Sequence, residues 1–204
     1  MVRKARGPGA WQWSRTVETR EVFLDAAREV FDEKGFTEAS VADVVERTGL
    51  SVGSLYHHFG AKGELFLALY ERHHAEQEEH ASRAVTETQA QGEESRLELF
   101  LAGTRAYLDG AWQRRDLMRL FREGDTPPGF EGARHARIRA WIWRSAALLN
   151  TTDDVLGRLT VSTLTSLISE AAREVAAGED RKAKDAVVEA TEDLIRRLVS
   201  FSSN

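Results

Sequence analysis

Apolar positions recur at helical spacing along nearly the whole chain, and no run of alternating Val, Ile or Thr compels a strand. The pattern predicts an all-α protein of about nine helices. A first helix is expected over about 16–34, with Phe23, Ala26, Ala27, Val30 and Phe31 on one stripe and Gly35 as its left-handed end. Ser40 opens a second helix, and Asp43 three residues on completes a capping box. Val41, Val44 and Val45 give that helix its apolar side, and Gly49 stops it. Ser51 caps a third, very short helix carrying Val52, Leu55, Tyr56 and Phe59, which Gly60 closes. A long fourth helix runs from about Lys62 into the high 80s. Leu65, Phe66, Leu69 and Tyr70 are its apolar start, and "HHAEQEEHASRAVTETQAQGEES" reads as a solvated continuation and exit. Helices then follow over about 94–114 and 116–123. "GDTPPGFEG" (124–132) is the clearest loop, and helices over about 133–150, 153–177 and 181–201 complete the chain.

Composition narrows the class. With 204 residues, 42% apolar and 30% charged, the chain suits a globular protein of one large or two small domains. It holds no cysteine, which excludes a disulfide framework and cysteine-ligated zinc and fits a reducing compartment. No apolar stretch follows the basic opening "MVRKARGPGAWQWSRT" to act as a signal core, and no segment has the length and apolarity of a membrane span. A cytoplasmic protein without membrane contact is expected. The net charge is −5, but residues 1–62 sum to zero and the remainder carries the whole excess of acid. Five basic residues and one acid lie in 1–20, so a basic flexible arm over 1–15 precedes a neutral segment and an acidic body. The shift near residue 62 suggests domains over 16–62 and 63–204.

"GLSVG" (49–53) supports two chemistries. As G-x-S-x-G it would make Ser51 a hydrolase nucleophile, which needs a buried strand just before the serine. The preceding "ASVADVVERT" instead places Val41, Val44 and Val45 at i, i+3, i+4, with Glu46 and Arg47 interrupting any buried strand. As the turn of a helix-turn-helix, Gly49 supplies positive φ, Leu50 pins the turn and Ser51 caps the next helix. Val52, Leu55 and Tyr56 then brace that helix from behind, leaving Gly53, Ser54 and His57 on a small, polar outer face able to enter a major groove. A helical protein-interaction module that binds no DNA is the other alternative.

Residues 20–70, above all "FTEASVADVVERTGLSVGSLYHHFGAKGELFLALY" (36–70), resemble the DNA-binding domain of the tetracycline-repressor (TetR) family. Phe31, Gly35, Phe36, Gly49-Leu50-Ser51, Leu55-Tyr56-His57-His58-Phe59, Lys62 and Leu65 all fall at the family's spacing. The resemblance implies an N-terminal three-helix DNA-binding domain and a C-terminal helical domain for ligand binding and dimerisation. It implies that Ser40 contacts a phosphate, that Ala42 faces the bases, and that Ser51, Val52, Gly53 and Ser54 lie at the tip of the recognition helix. Tyr56, His57 and Lys62 would contact phosphates, while His58 packs internally. Two departures stand beside it: Ala61 replaces the usual polar cap before the lysine, and Gly63 replaces the usual Glu after it. With no Arg or Lys on the recognition helix, the Arg3-Lys4-Arg6 arm and DNA shape would carry more of the binding.

In the second half, His73, His74 and His80 invite a metal reading, but without H-E-x-x-H they read as a solvated helix face, and no metal or cofactor is expected. Tyr107, Trp112, Met118, Phe121, Trp141 and Trp143 are the candidate lining of a chamber for an apolar or aromatic effector, as the resemblance implies, with Phe130 nearby and Arg105, Arg119, Arg122 and Glu123 as candidate polar groups. The last two helices have broad apolar faces, Leu156, Leu159, Leu164, Leu167, Ile168, Ala171 and Val175 on one, and Val187, Val188, Ala190, Leu194, Ile195, Leu198, Val199 and Phe201 on the other. Ser162, Thr163, Thr165 and Ser166 would let a partner helix approach. A homodimer through Leu156–Val175 and Val187–Phe201, reading a palindromic operator in double-stranded DNA as a repressor released by the effector, is the expectation.

Overall fold

The computed structural model describes residues 8–122, 124–149 and 154–202, with the side chains of 8–15, of 201–202 and of several residues between 138 and 146 outside the described set. Among the described residues every regular element is helical: α1 (Pro8–Glu38), α2 (Val41–Thr48), α3 (Val52–Phe59), α4 (Lys62–Ala90), α5 (Arg96–Gln113), α6 (Arg115–Leu120), α7 (Phe130–Leu149), α8 (Val155–Ala177) and α9 (Arg181–Ser202). None of these is long and apolar enough to cross a membrane. The chain divides into two compact units: Met1–Glu71 with Glu123–Pro128, and Arg72–Arg122 with Gly129–Asn204. The division falls inside α4, past Lys62.

In the first unit, α1 starts at Pro8, a residue whose fixed φ and missing N–H suit a first helical position. The second half of the expected flexible arm is therefore helical, while residues 1–7, with Arg3, Lys4 and Arg6, lie outside the described residues. Gly35 breaks α1 rather than ending it, because at φ 73° and ψ 177° the chain turns sharply and then resumes as far as Glu38. Phe23, Leu24, Ala27, Val30 and Phe31 of α1 are fully buried with Val44 of α2, Leu55 of α3 and Leu65, Phe66 and Leu69 of α4. Phe66 seals the centre, its ring 5.4 Å from Phe31 and 5.3 Å from Phe36, both edge-on.

The segment Glu123–Pro128 completes this unit. Asp125 accepts hydrogen bonds from the Thr37 backbone N–H at 3.0 Å and from its hydroxyl at 2.5 Å, which hold its carboxyl below the usual range. A Cβ on Gly35 would lie 2.5 Å from the Asp125 Oδ2, so positive φ and close approach both require glycine there. Pro127 is buried, and a Cβ on Gly63 would meet its Cβ at 3.4 Å. Gly63 thus faces the loop where the resemblance anticipates Glu.

In the second unit, α5 is the central helix. Leu99 to Thr104, Ala106, Leu108, Gly110 and Ala111 are all buried, so it is covered on nearly every side. Leu164, Ile168, Ala172 and Val175 of α8 and Val188 and Ile195 of α9 pack against it. Ion pairs tie α5 to α9: Arg196 with Glu98, Arg105 with Glu192 at 2.6 Å, and buried Lys184 with Asp109 at 2.6 Å. The Asp109 carboxylate, followed by Asp185, raises the Lys184 ammonium above its ordinary value.

Two expectations change here. The histidine-rich stretch of α4 is not a solvated face: His73 (1% exposed), Gln77 (0%) and Ala81 (6%) form a buried stripe at i, i+4, i+8. Burial, then the charge of Arg137, pushes the His74 imidazole down to about 4. Helix α7 begins at Phe130, inside the expected loop, because that ring is 1% exposed and stacks on Phe121 at 6.2 Å.

Candidate nucleic-acid interface and interior cavity

The turn between α2 and α3 is built from single residues acting on near neighbours. Ser40 and Asp43 form the full capping box: the Asp43 N–H donates to Ser40 Oγ at 3.1 Å and the Ser40 N–H to Asp43 Oδ2 at 2.8 Å. Gly49 is left-handed at φ 66°, and its N–H donates to the Val45 carbonyl at 3.0 Å. The Leu50 N–H donates to Thr48 Oγ1 at 3.1 Å, holding the half-buried leucine in the turn. Ser51 Oγ accepts the Ser54 N–H at 3.1 Å. The residues before Ser51 are helix and turn, not a strand, so the nucleophile-elbow geometry is absent at this serine.

The inner side of α3 is Leu55 (0% exposed) and Phe59 (5%). Val52 (44%) and Tyr56 (49%) do not brace it, as the sequence pattern suggested, but stand outward. At a 100° step per residue, Gly53 and His57 lie opposite the 55/59 seam and Tyr56 on its flank, while Val52, close to the seam by angle, is exposed as the first residue of the helix. The outer face is therefore Val52, Gly53, Tyr56 and His57, with Ser54 half-buried at its edge and Ala42 of α2 also exposed. A Cβ on Gly53 would have its nearest neighbour, Ser51 Oγ, at 3.9 Å, so the protein itself leaves room for a larger side chain. His58 is half-buried, with its ring 6.1 Å from Phe23. Burial, then the charges of His57 and Arg20, lowers its imidazole.

Basic groups of this unit are committed internally. Lys34 pairs with Asp43 at 2.7 Å, and Arg47 with Glu29 at 2.9 Å and with Glu33. The Lys34 ammonium, followed by Ser40, holds the Asp43 carboxyl at about 2. Lys62 departs furthest from expectation: its ammonium donates to the carbonyls of Phe36 (2.8 Å), Thr37 (3.2 Å) and Ala39 (2.7 Å) and sits 4.5 Å from the Phe36 ring. An ammonium has three hydrogens, and all three are used here, so Lys62 clamps the end of α1, and the phosphate contact expected of it would have to displace one of these bonds. The Ser40 hydroxyl is likewise occupied, donating to Asp43 Oδ2 at 2.8 Å, so the phosphate contact expected of Ser40 would have to displace that bond. Ser51 Oγ only accepts, leaving its O–H able to donate outward.

The second unit holds a cavity of about 560 Å³ between α4, α5 and α7. Its apolar wall includes Val85, Phe100, Gly103, Trp141 and Leu148, and its polar groups are Glu78, Glu79, Ser82, Thr104 and Arg144. Arg144 and Arg137 pair with Glu78 at 2.6 and 3.1 Å. Of the five candidates whose side chains are described, Trp141 lines this cavity and the other four do not. The Tyr107 ring lies 5.4 Å from that of Trp141, tilted by 36°. Trp112 and Met118 pack against Leu108, Ala111 and Val175, and Phe121 is buried beside Phe130 and His73. Phe121 is core, while Trp112 and Met118 are half-buried, and Met118 lines a second, smaller cavity between α6 and the end of α8. The side chain of Trp143 and residue Glu123 lie outside the described residues, and Arg105 is taken by Glu192. The signal for the missed wall was Gly103, a glycine inside an apolar helix; a Cβ there would meet Val85 Cγ2 at 3.0 Å. Among the described residues no group of three or more His, Asp or Glu could hold a metal ion.

On α8, Leu164, Ile168, Ala171 and Val175 face inward, while Leu156 (56%) and Leu159 (60%) are exposed beside Val155 (64%). Ser162, Thr163 and Ser166 are exposed, but Thr165 is buried and donates to the Val161 carbonyl. On α9, Val188 and Ile195 are buried and Leu194 (45%) is exposed; the side chain of Phe201 lies outside the described residues.

The sequence profile of the family described as bacterial regulatory proteins, tetR family, matches residues 23–69. Over 55 residues, 27% of this chain, the protein is 46% identical to the HTH-type transcriptional repressor AcnR of Corynebacterium efficiens. That stretch spans 29% of the relative's length. Two solved structures are similar over most of the chain. A TetR-like transcriptional regulator from Rhodococcus sp. RHA1 has TM-score 0.69 and 27% identity, covering 89% of this chain and 96% of that one. A TetR-family transcriptional regulator from Pectobacterium atrosepticum has TM-score 0.65 and 28% identity, covering 91% and 96%.

Proposed function

We propose that this chain, which belongs to the tetracycline-repressor (TetR) family of bacterial regulators, is a homodimeric repressor that leaves a palindromic operator when a small molecule binds it. One observation carries the reading: α3 rests on Leu55 and Phe59 and presents an outer face that is small at Gly53 and Ser54. A short helix with that face can lie against base edges in a major groove. Val52 would meet a thymine methyl, Ser54 and Ala42 would approach bases, and Ser51, Tyr56 and His57 would donate to phosphates. With the described cations engaged internally, phosphate contacts rest on hydroxyls, ring N–H groups and the basic residues ahead of Pro8.

A single short helix contacts too little DNA for specific binding, so two copies are needed, about 34–36 Å apart on successive grooves. The exposed leucines of α8 and Leu194 of α9 supply an apolar face for that pairing. The cavity beside Trp141 suits an apolar or aromatic effector, whose binding would favour a state with the two heads off register.

Selecting duplex fragments from random DNA with the full chain tests this. A symmetric consensus is expected; recovery of none, at low salt and micromolar protein, would sink the reading. Gly53→Leu sharpens it, since the protein has room for the side chain but a groove floor does not. The variant is expected to keep its helical content and lose operator binding at least about tenfold. Unchanged affinity would show that α3 is not the reader.

A further inference from the structure

A second, smaller cavity of about 260 Å³ lies between α6 and the end of α8, in the second unit. Four guanidinium groups line it: Arg115, Arg119 and Arg122 from α6 and the residues after it, and Arg173 from α8. The one acid among the described lining residues is Glu179. Arg173 is paired with Glu170, and Arg115 lies over the Trp112 ring at 4.7 Å. Arg119 and Arg122 are both exposed at the rim of the cleft. Four positive charges thus meet Glu179 and the Glu170 already spent on Arg173, which leaves a local excess of cation in a segment that is otherwise acidic. Like charges gathered in one concave site repel one another and focus the field into it, a cost that a bound anion removes. The apolar lining is Met118, Ala176 and Ala177, so the guanidinium forks are the recognising groups.

We infer that this cleft binds a small anion through its phosphate or carboxylate oxygens, at a site separate from the cavity beside Trp141. A volume of about 260 Å³ suits a molecule of a few heavy atoms bearing two anionic groups. Arg119 and Arg122 would engage it as forks, Arg115 and Arg173 from the sides, and Glu179 would set a limit on its negative charge near the α8 end. The inference does not depend on the DNA-binding reading.

Calorimetric titration of the full chain with pyrophosphate and, separately, with succinate tests it, and the two arms separate a phosphate ligand from a dicarboxylate. Saturable binding of at least one probe is expected. Arg119→Ala/Arg122→Ala should weaken it at least about tenfold. Arg119→Lys/Arg122→Lys keeps the charge and loses the fork, and guards against a variant that fails to fold; an intermediate affinity is expected. Glu179→Gln should tighten binding by removing the opposing carboxylate. No saturable binding of either probe to the wild-type chain overturns the inference, as does binding that all three variants leave unchanged. If the alanine pair instead weakens binding of duplex DNA while neither small anion binds, the arginines belong to nucleic acid. If it only lowers the melting temperature, they serve the carbonyl end of α8. Both of those outcomes reject the site.

Discussion

Three ammonium hydrogens and three carbonyl oxygens meet at Lys62, at the end of a helix that would otherwise leave those carbonyls to water. Lys62→Met keeps the stem over Phe36 and removes the donors. It should cost about 1–3 kcal/mol in denaturant unfolding, because charged hydrogen bonds to partly buried acceptors are lost. The salt dependence of DNA binding separates the clamp from a phosphate contact. A lost phosphate contact lowers the slope of log K against log salt by about one, whereas the clamp leaves it unchanged. Asp43 gives the matching acid-side test. Its folded carboxyl titrates at about 2, under the influence of Lys34 and then Ser40, below the unfolded value of about 3.9. Its contribution is therefore fully present above about pH 4 and is lost as pH falls through 2. Lys34→Ala should move the Asp43 carboxyl carbon titration, followed by NMR, upward toward the ordinary value. A titration that stays near 2 would place the cause in the capping box alone.

At the level of helices, what could be read from the sequence was what neighbours within four positions decide. Ser40 with Asp43, Gly49 with Val45 and Ser51 with Ser54 each set a boundary locally, and α2 and α3 lie where those letters put them. The buried polar face of α4 could not be read in that way. Gln77 accepts from Arg114, 37 residues away, and fits only because Gly110 has no Cβ, which would lie 1.9 Å from Gln77 Oε1. Hydropathy treats such a glutamine as solvated, since its partner and its space come from another helix. The wall of the cavity beside Trp141 was hidden in part for a related reason. Aromatic content pointed to α5, α6 and α7, of which Trp141 does line the cavity, but much of the wall is small or aliphatic, from Ala75, Ala81, Val85, Gly103 and Leu148 facing a gap between helices. The start of α4 tests the same point in reverse. Gly63 looked like a weak helix start, but its missing side chain faces Pro127 at ordinary contact distance. Gly63→Ala should raise stability by about 0.5–1 kcal/mol in thermal or urea unfolding, through helix propensity and a filled contact. A loss instead would mean that the Glu123–Pro128 segment cannot yield even a few tenths of an ångström.

At the level of the whole molecule, the pattern of exposed leucines separates what folds the chain from the surface on which the proposed dimer would pair. Leu164, Ile168 and Val175 are spent on the core of the second unit, so α8 turns a second apolar strip, Val155, Leu156 and Leu159, to the outside. That strip is more than half exposed and adds little to the monomer's core, so a polar substitution on it should change monomer stability by less than about 0.5 kcal/mol. Leu159→Glu is therefore a clean probe of assembly. If the strip lies at a two-fold interface, the substitution acts twice and sets two carboxylates in an apolar contact, so sedimentation should show a monomer where the parent chain is a dimer. Binding to a palindrome should then fall to that of one half-site, while circular dichroism stays unchanged. A variant that remains dimeric and binds normally would move the interface off α8. The pairing of heads would then have to be sought on α9 around Leu194, because two-fold symmetry requires some self-complementary surface and, among the described residues, the other large exposed apolar ones, Val17, Val22, Val52 and Tyr56, lie in the first unit.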